Sequence, residues 1–68
     1  MNKFSERLKE IRLEKGISRK ELADKMFVSV RLISYWETGK RECDFDTLIT
    51  LSRILEESID YILGNSDI

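Results

Sequence analysis

Apolar positions along the chain recur at helical spacing, and no stretch alternates apolar with polar residues as a half-buried strand does. Phe4, Leu8 and Ile11 mark one face of a first helix over roughly 3–15, with Gly16 just past its end as a left-handed cap. Ser18 opens a second helix. Glu21 stands three residues on, the spacing of a capping box, and Leu22 and Met26 form the buried stripe. A break at Phe27-Val28 leads to Ser29, a further N-cap candidate, and to a third helix ending near Glu37 that buries Ile33 and Trp36. Thr38-Gly39-Lys40 reads as a turn. Asp44 caps a fourth helix to about Leu55, with Phe45, Leu48, Leu51, Ser52 and Leu55 predicted to face inward. Ser58 caps a last short helix carrying Ile59, Ile62 and Leu63, and Gly64 stops it.

The pattern predicts an all-α fold of five short helices in one domain over residues 1–64, followed by a polar tail, 65–68, expected to be loose. At 68 residues the chain buries only about 60% of its unfolded surface, so the core must be compact. Hydrophobic residues at 41% and charged residues at 37% fit a globular domain. The longest apolar runs, Met26-Phe27-Val28 and Tyr61-Ile62-Leu63, are far too short for a membrane span or a signal-peptide core. One cysteine, Cys43, and no histidine exclude an intrachain disulfide and a His/Cys zinc site, and they remove the commonest general base. The expectations are a cytoplasmic setting, no metal, no cofactor, no small-molecule ligand and no enzyme activity.

Charge changes the picture once the chain is divided. Residues 1–41 carry eleven Lys and Arg against six Asp and Glu, leaving +5, whereas residues 42–68 carry Arg53 against seven acids, leaving −6. A net charge of −1 therefore conceals a dipolar molecule, with one half suited to a polyanion. Chance segregation of charge on a small helical protein remains the plainer alternative.

From Arg19 to Trp36 the two helices and their short turn form a helix-turn-helix arrangement. Small Ala23 suits the close approach of crossing helices. With Ile33 and Trp36 inward, the opposite side of the third helix presents Val30, Arg31, Ser34 and Tyr35, a set able to read base edges in a major groove. The bland alternative is an ordinary helical hairpin with a mixed solvent face.

The stretch from Phe4 to Ser18, then Glu21-Leu-Ala-Asp-Lys-Met, Val28-Ser and Ile33-Ser-Tyr-Trp-Glu-Thr-Gly-Lys-Arg, closely resembles the Cro/phage-repressor helix-turn-helix family (the XRE family). Thr47-Leu-Ile-Thr-Leu-Ser and Ser58-Ile-Asp-Tyr-Ile-Leu-Gly are similar to that family's fourth and fifth helices, so the resemblance spans residues 4–64. It implies a lambda-repressor-like five-helix domain that binds partly palindromic double-stranded DNA as a homodimer and regulates transcription. It further implies a buried ion pair between Arg12 and Glu37, and a dimer contact near the fifth helix, where Ile59 and Tyr61 are the candidates. Base contacts are assigned to Val30, Arg31, Ser34 and Tyr35. Phosphate contacts are assigned to Arg19, Lys20, Ser29, Thr38, Lys40 and Arg41.

Four departures from the family pattern matter. Arg19 replaces the usual Gln and can still donate to phosphate. Phe27 stands where the turn usually has Gly, so either Phe27 accepts a strained backbone or the turn is reshaped. Cys43 replaces Pro, and Glu56 stands where Gly or Asn is common; Cys43 reads as a small half-buried residue, not a redox sensor. A protein-interaction module on the same fold, with weak DNA affinity, is the competing function, which the acidic second half and Phe27 favour.

Overall fold

A computed structural model describes residues 2–67. Five helices follow one another: α1 (Phe4–Glu14), α2 (Arg19–Met26), α3 (Val30–Thr38), α4 (Phe45–Leu55) and α5 (Ile59–Leu63). No strand occurs among the described residues. Each start from α2 onward is set by a side-chain cap. The hydroxyls of Ser18, Ser29 and Ser58 and the carboxylate of Asp44 each accept from the backbone N–H three residues on, satisfying a donor that the first helical turn leaves free. At Ser18 the box closes, because the Glu21 carboxylate accepts the Ser18 N–H at 3.1 Å.

The helix ends share one device. After α1, α2, α4 and α5 a residue turns left-handed and the following N–H reaches back to a carbonyl five residues earlier: Ile17 to Arg12, Val28 to Ala23, Glu57 to Ser52, Asn65 to Asp60. Glycine fills the left-handed position twice there, at Gly16 and Gly64, whereas Phe27 (φ +58°) and Glu56 (φ +56°) fill it without glycine's freedom. Phe27 therefore accepts the strain, and the turn is not reshaped.

The core draws on every helix. Phe4, Leu8 and Ile11 of α1 meet Leu22 and Ala23 of α2, Ile33 and Trp36 of α3, Leu48, Leu51 and Leu55 of α4, and Ile62 of α5. α1 packs on α3 and α5, while α2 packs on α3 and α4. Met26 is half-buried at the edge of this cluster, and so is Ser52 on α4. Phe45 corrects the sequence reading: it was expected inward and is 85% exposed. At about 100° per residue, the Leu48–Leu51–Leu55 stripe is centred roughly a quarter turn away from Phe45, which leaves the ring at the edge of the core and mostly in solvent.

The two ends of the fold are joined. The Lys3 N–H donates to the Leu63 carbonyl at 2.9 Å, and the Arg7 guanidinium donates to the Tyr61 carbonyl at 3.0 Å while lying 4.5 Å from the centre of the Tyr61 ring. In the segment read as a loose tail, the Asn65 N–H donates to the Asp60 carbonyl and Arg7 reaches the Ser66 carbonyl and the Asp67 carboxylate. Ile68 lies outside the described residues.

Candidate nucleic-acid interface

Ser29 fixes where α3 begins, and burial of Ile33 and Trp36 fixes its rotation about its own axis. Val30 and Arg31 are consequently exposed on the first turn, with Ser34 and Tyr35 half-exposed one turn later. Ser29, Arg31, Leu32, Tyr35 and Arg41 line an open recess of about 400 Å³ on this side. The Ser29 oxygen accepts from the Leu32 N–H, and its own hydroxyl proton stays available to an acceptor.

Past the helix, Gly39 (φ +80°) turns the chain back, and the Arg41 N–H donates to the Tyr35 carbonyl at 3.3 Å. Lys40 Nζ lies 5.4 Å and Arg41 Cζ 5.7 Å from the centre of the Tyr35 ring, both within cation–π range. Arg31, Lys40 and Arg41 form no ion pair among the described residues. The same side thus gathers three unpaired cations with an aromatic ring and two hydroxyls.

Arg12 and Glu37 form the ion pair that the resemblance implies, and it has a third member. Arg12 Nε donates to Glu37 Oε2 at 2.6 Å and Arg12 Nη2 to Oε1 at 3.2 Å, while Arg12 Nη1 holds the Ile17 carbonyl at 3.0 Å. Arg19 Nε adds 3.1 Å to the same Oε1. The Glu37 side chain is 1% exposed, that of Arg12 7% and that of Arg19 41%. One buried carboxylate therefore ties α1, the start of α2 and the end of α3 together, and no buried side-chain polar atom among the described residues lacks a partner. The Arg19 link was not foreseen. It depends on how α2 packs on α3, which no local pattern in the chain states.

The remaining sequence candidates scatter. Lys20 pairs with Asp24 at 3.1 Å in full solvent, a contact worth little. Thr38 donates its hydroxyl to the Ser34 carbonyl at 2.8 Å. Ile59 and Tyr61 are half-buried against the core, and Tyr61 lies under Arg7. Cys43 is half-buried beside Phe4, Phe45, Leu48 and Leu63 around a small cavity of about 140 Å³. Burial pushes its thiol up to about 11, and the flanking carboxylates of Asp44 and Glu42 push the same way. Among the described residues no cluster of three His, Cys, Asp or Glu is placed to hold a metal ion, and no helix is long and apolar enough to cross a membrane.

Five helices with this crossing pair and this outward face define a Cro/C1-type helix-turn-helix domain. The Helix-turn-helix family (HTH_3) matches residues 8–62, and the chain belongs to it. It is 42% identical over 60 residues to the uncharacterized HTH-type transcriptional regulator YqaE of Bacillus subtilis, covering 88% of this chain and 52% of that protein. The HTH-type transcriptional regulator ImmR of the same organism is 38% identical over 65 residues, covering 96% of this chain and 51% of ImmR. The chain thus spans about half the length of these curated relatives. Among solved structures, the P22 c2 repressor in complex with synthetic operator 9T superposes with a TM-score of 0.85 at 32% identity, covering 93% of this chain and 96% of that one. A transcriptional regulator from Listeria innocua superposes at 0.88 with 28% identity, covering 94% and 60% of the two chains.

Proposed function

We propose that this chain binds double-stranded DNA by laying α3 in the major groove, and that it serves a transcriptional regulator in the cytoplasm. The observation that carries the reading is the outward face of α3, where Arg31 and Arg41, neither of them in an ion pair, line an open recess with Ser29 and Tyr35, and Lys40 lies beside the Tyr35 ring. The likeness to an operator-bound repressor supports it. Val30, Arg31 and Ser34 face base edges, with the Arg31 fork matched to guanine O6 and N7. Arg19, Lys20, Ser29, Thr38, Lys40 and Arg41 meet phosphates, which set register and carry no sequence information. The domain comprises residues 1–64.

Two copies on a partly palindromic operator, meeting near Ile59 and Tyr61, would place their recognition helices about 34 Å apart. Fluorescence titration of a random duplex across salt concentrations tests the duplex reading: affinity should fall linearly on a log–log plot, by about one unit of slope per phosphate neutralised. Selection from randomised duplexes then yields the preferred sequence. Sedimentation on that sequence should show two chains per duplex for the parent and one for Tyr61→Asp.

A docking role on the same fold has one observation in its favour, the exposed rings of Phe27 and Phe45. Duplex binding that is undetectable even at low salt would decide for it.

A further inference from the structure

We propose that Tyr35 is a positioning residue for the DNA backbone: its ring face, not its hydroxyl, contributes by seating the Lys40 and Arg41 cations that meet the phosphates. The inference rests on the duplex-binding reading and deepens it.

Three contacts converge on Tyr35. Lys40 Nζ and Arg41 Cζ lie 5.4 and 5.7 Å from its ring centre, and its carbonyl accepts the Arg41 N–H at 3.3 Å. The backbone contact anchors the turn after α3, and the ring gathers the two side chains that leave that turn. The next residue, Glu42, is engaged by the Asn2 side chain at 2.9 Å, and neither cation has a carboxylate partner among the described residues. Both cations lie within about 6 Å of one ring centre with no carboxylate to draw them there, so the ring is the attraction that the structure offers them. The negative face of an aromatic ring supplies it while leaving the N–H donors free. A carboxylate in that place would instead compete with a phosphate for the same donors.

Ordering a long cationic side chain on binding costs roughly two- to tenfold in affinity. A ring that orders two of them beforehand reduces that cost for every sequence equally, because phosphates are everywhere the same. A hydroxyl reading a base would act on the preferred sequence alone. Tyr35 is half-exposed and lies outside the buried cluster, so its replacement leaves the core intact.

The experiment compares the parent with Tyr35→Phe, Tyr35→Leu and Tyr35→Gln, each alone and in a Lys40→Ala/Arg41→Ala background, on random duplex and on the selected sequence. Thermal unfolding checks that each variant is folded. Tyr35→Phe should bind both duplexes within about twofold of the parent. Tyr35→Leu and Tyr35→Gln should lose about five- to tenfold on both duplexes, and almost nothing further once the cations are gone. A loss confined to Tyr35→Phe on the selected sequence overturns the proposal, and so does an undiminished Tyr35→Leu penalty in the cation-free background. Proton NMR of the free protein reads the platform without DNA. Upfield ring-current shifts of the Lys40 Hε and Arg41 Hδ protons should disappear in Tyr35→Leu, and unshifted protons in the parent overturn the proposal. If the shifts are present and no duplex binds, the duplex reading fails and the platform's role on DNA with it.

Discussion

Arg12 holds both oxygens of Glu37 from a helix 25 residues away in sequence, at 2.6 and 3.2 Å, and both side chains are almost wholly removed from water. Such a pair gains little over an apolar substitute, yet leaves a large deficit when one member is lost. Glu37→Ala strands the Arg12 guanidinium and should cost about 3–5 kcal/mol in denaturant unfolding. Arg19→Ala should cost about 1 kcal/mol or less, because the Arg19 charge is itself partly exposed and screened, and Arg12 still satisfies the buried carboxylate. Equal losses for the two variants would mean that the buried pair does not dominate the cluster.

Phe27 stands at φ +58° with its ring 95% exposed, so it bears a left-handed backbone and gains almost no burial in return. Left-handed geometry costs an L-residue about 1–2 kcal/mol relative to glycine. Phe27→Gly should raise stability by about 1 kcal/mol after allowance for the freer unfolded chain, which is a rise of ~4–8 °C in the thermal midpoint. A lowered midpoint would show that the ring makes contacts that offset the strain.

Arg31 divides specificity from affinity. Arg31→Ala should cost about 1–3 kcal/mol on the selected sequence and much less on random duplex, because a guanine fork is useful only where the guanine is. Lys40→Ala should weaken both duplexes alike and reduce the salt slope by about one unit. Equal losses on both duplexes for Arg31→Ala would assign Arg31 to a phosphate.

The Cys43 thiol is raised from its ordinary 9.0 to about 11, first by burial and then by Asp44 and Glu42. Between these values the unfolded chain gives up a proton that the folded chain keeps, so this group subtracts stability as pH rises from about 9 to about 11. At pH 8 the folded protein holds roughly a hundredth of the unfolded chain's thiolate, and the greater nucleophilicity of a more basic sulfur restores about tenfold. Iodoacetamide should therefore modify the native protein about tenfold more slowly than the urea-unfolded chain at the same pH. A native rate equal to the unfolded one would contradict the burial.

Capping and periodicity carry most of what the sequence discloses. Ser18, Ser29, Asp44 and Ser58 announce four helix starts because a short oxygen-bearing side chain is the cheapest partner for a free N–H, and each one caps as read. Phe45 was misread because a ring at a helix start matches the apolar spacing wherever it points, and only the packing of other helices decides whether anything lies beneath it. The convergence of Arg12 and Arg19 on Glu37 was half visible. Resemblance suggested the first partner, whereas the second depends on the crossing of α2 and α3, which no local pattern states. The stacking of Lys40 and Arg41 on Tyr35 was equally hidden, since it follows from the turn at Gly39 and the 3.3 Å bond from Arg41 back to Tyr35.

The bond from the Lys3 N–H to the Leu63 carbonyl, with Arg7 laid over Tyr61, makes the five-helix segment nearly a closed loop. In such a loop, the order in which the helices are strung is a matter of ancestry more than of mechanics. A short peptide could weld the two ends and the backbone could be opened at the exposed Gly16 turn, so that α1 follows α5 in a single permuted chain. Every core contact and the whole outward face of α3 would survive the rewiring, because none of them depends on which residue was synthesised first.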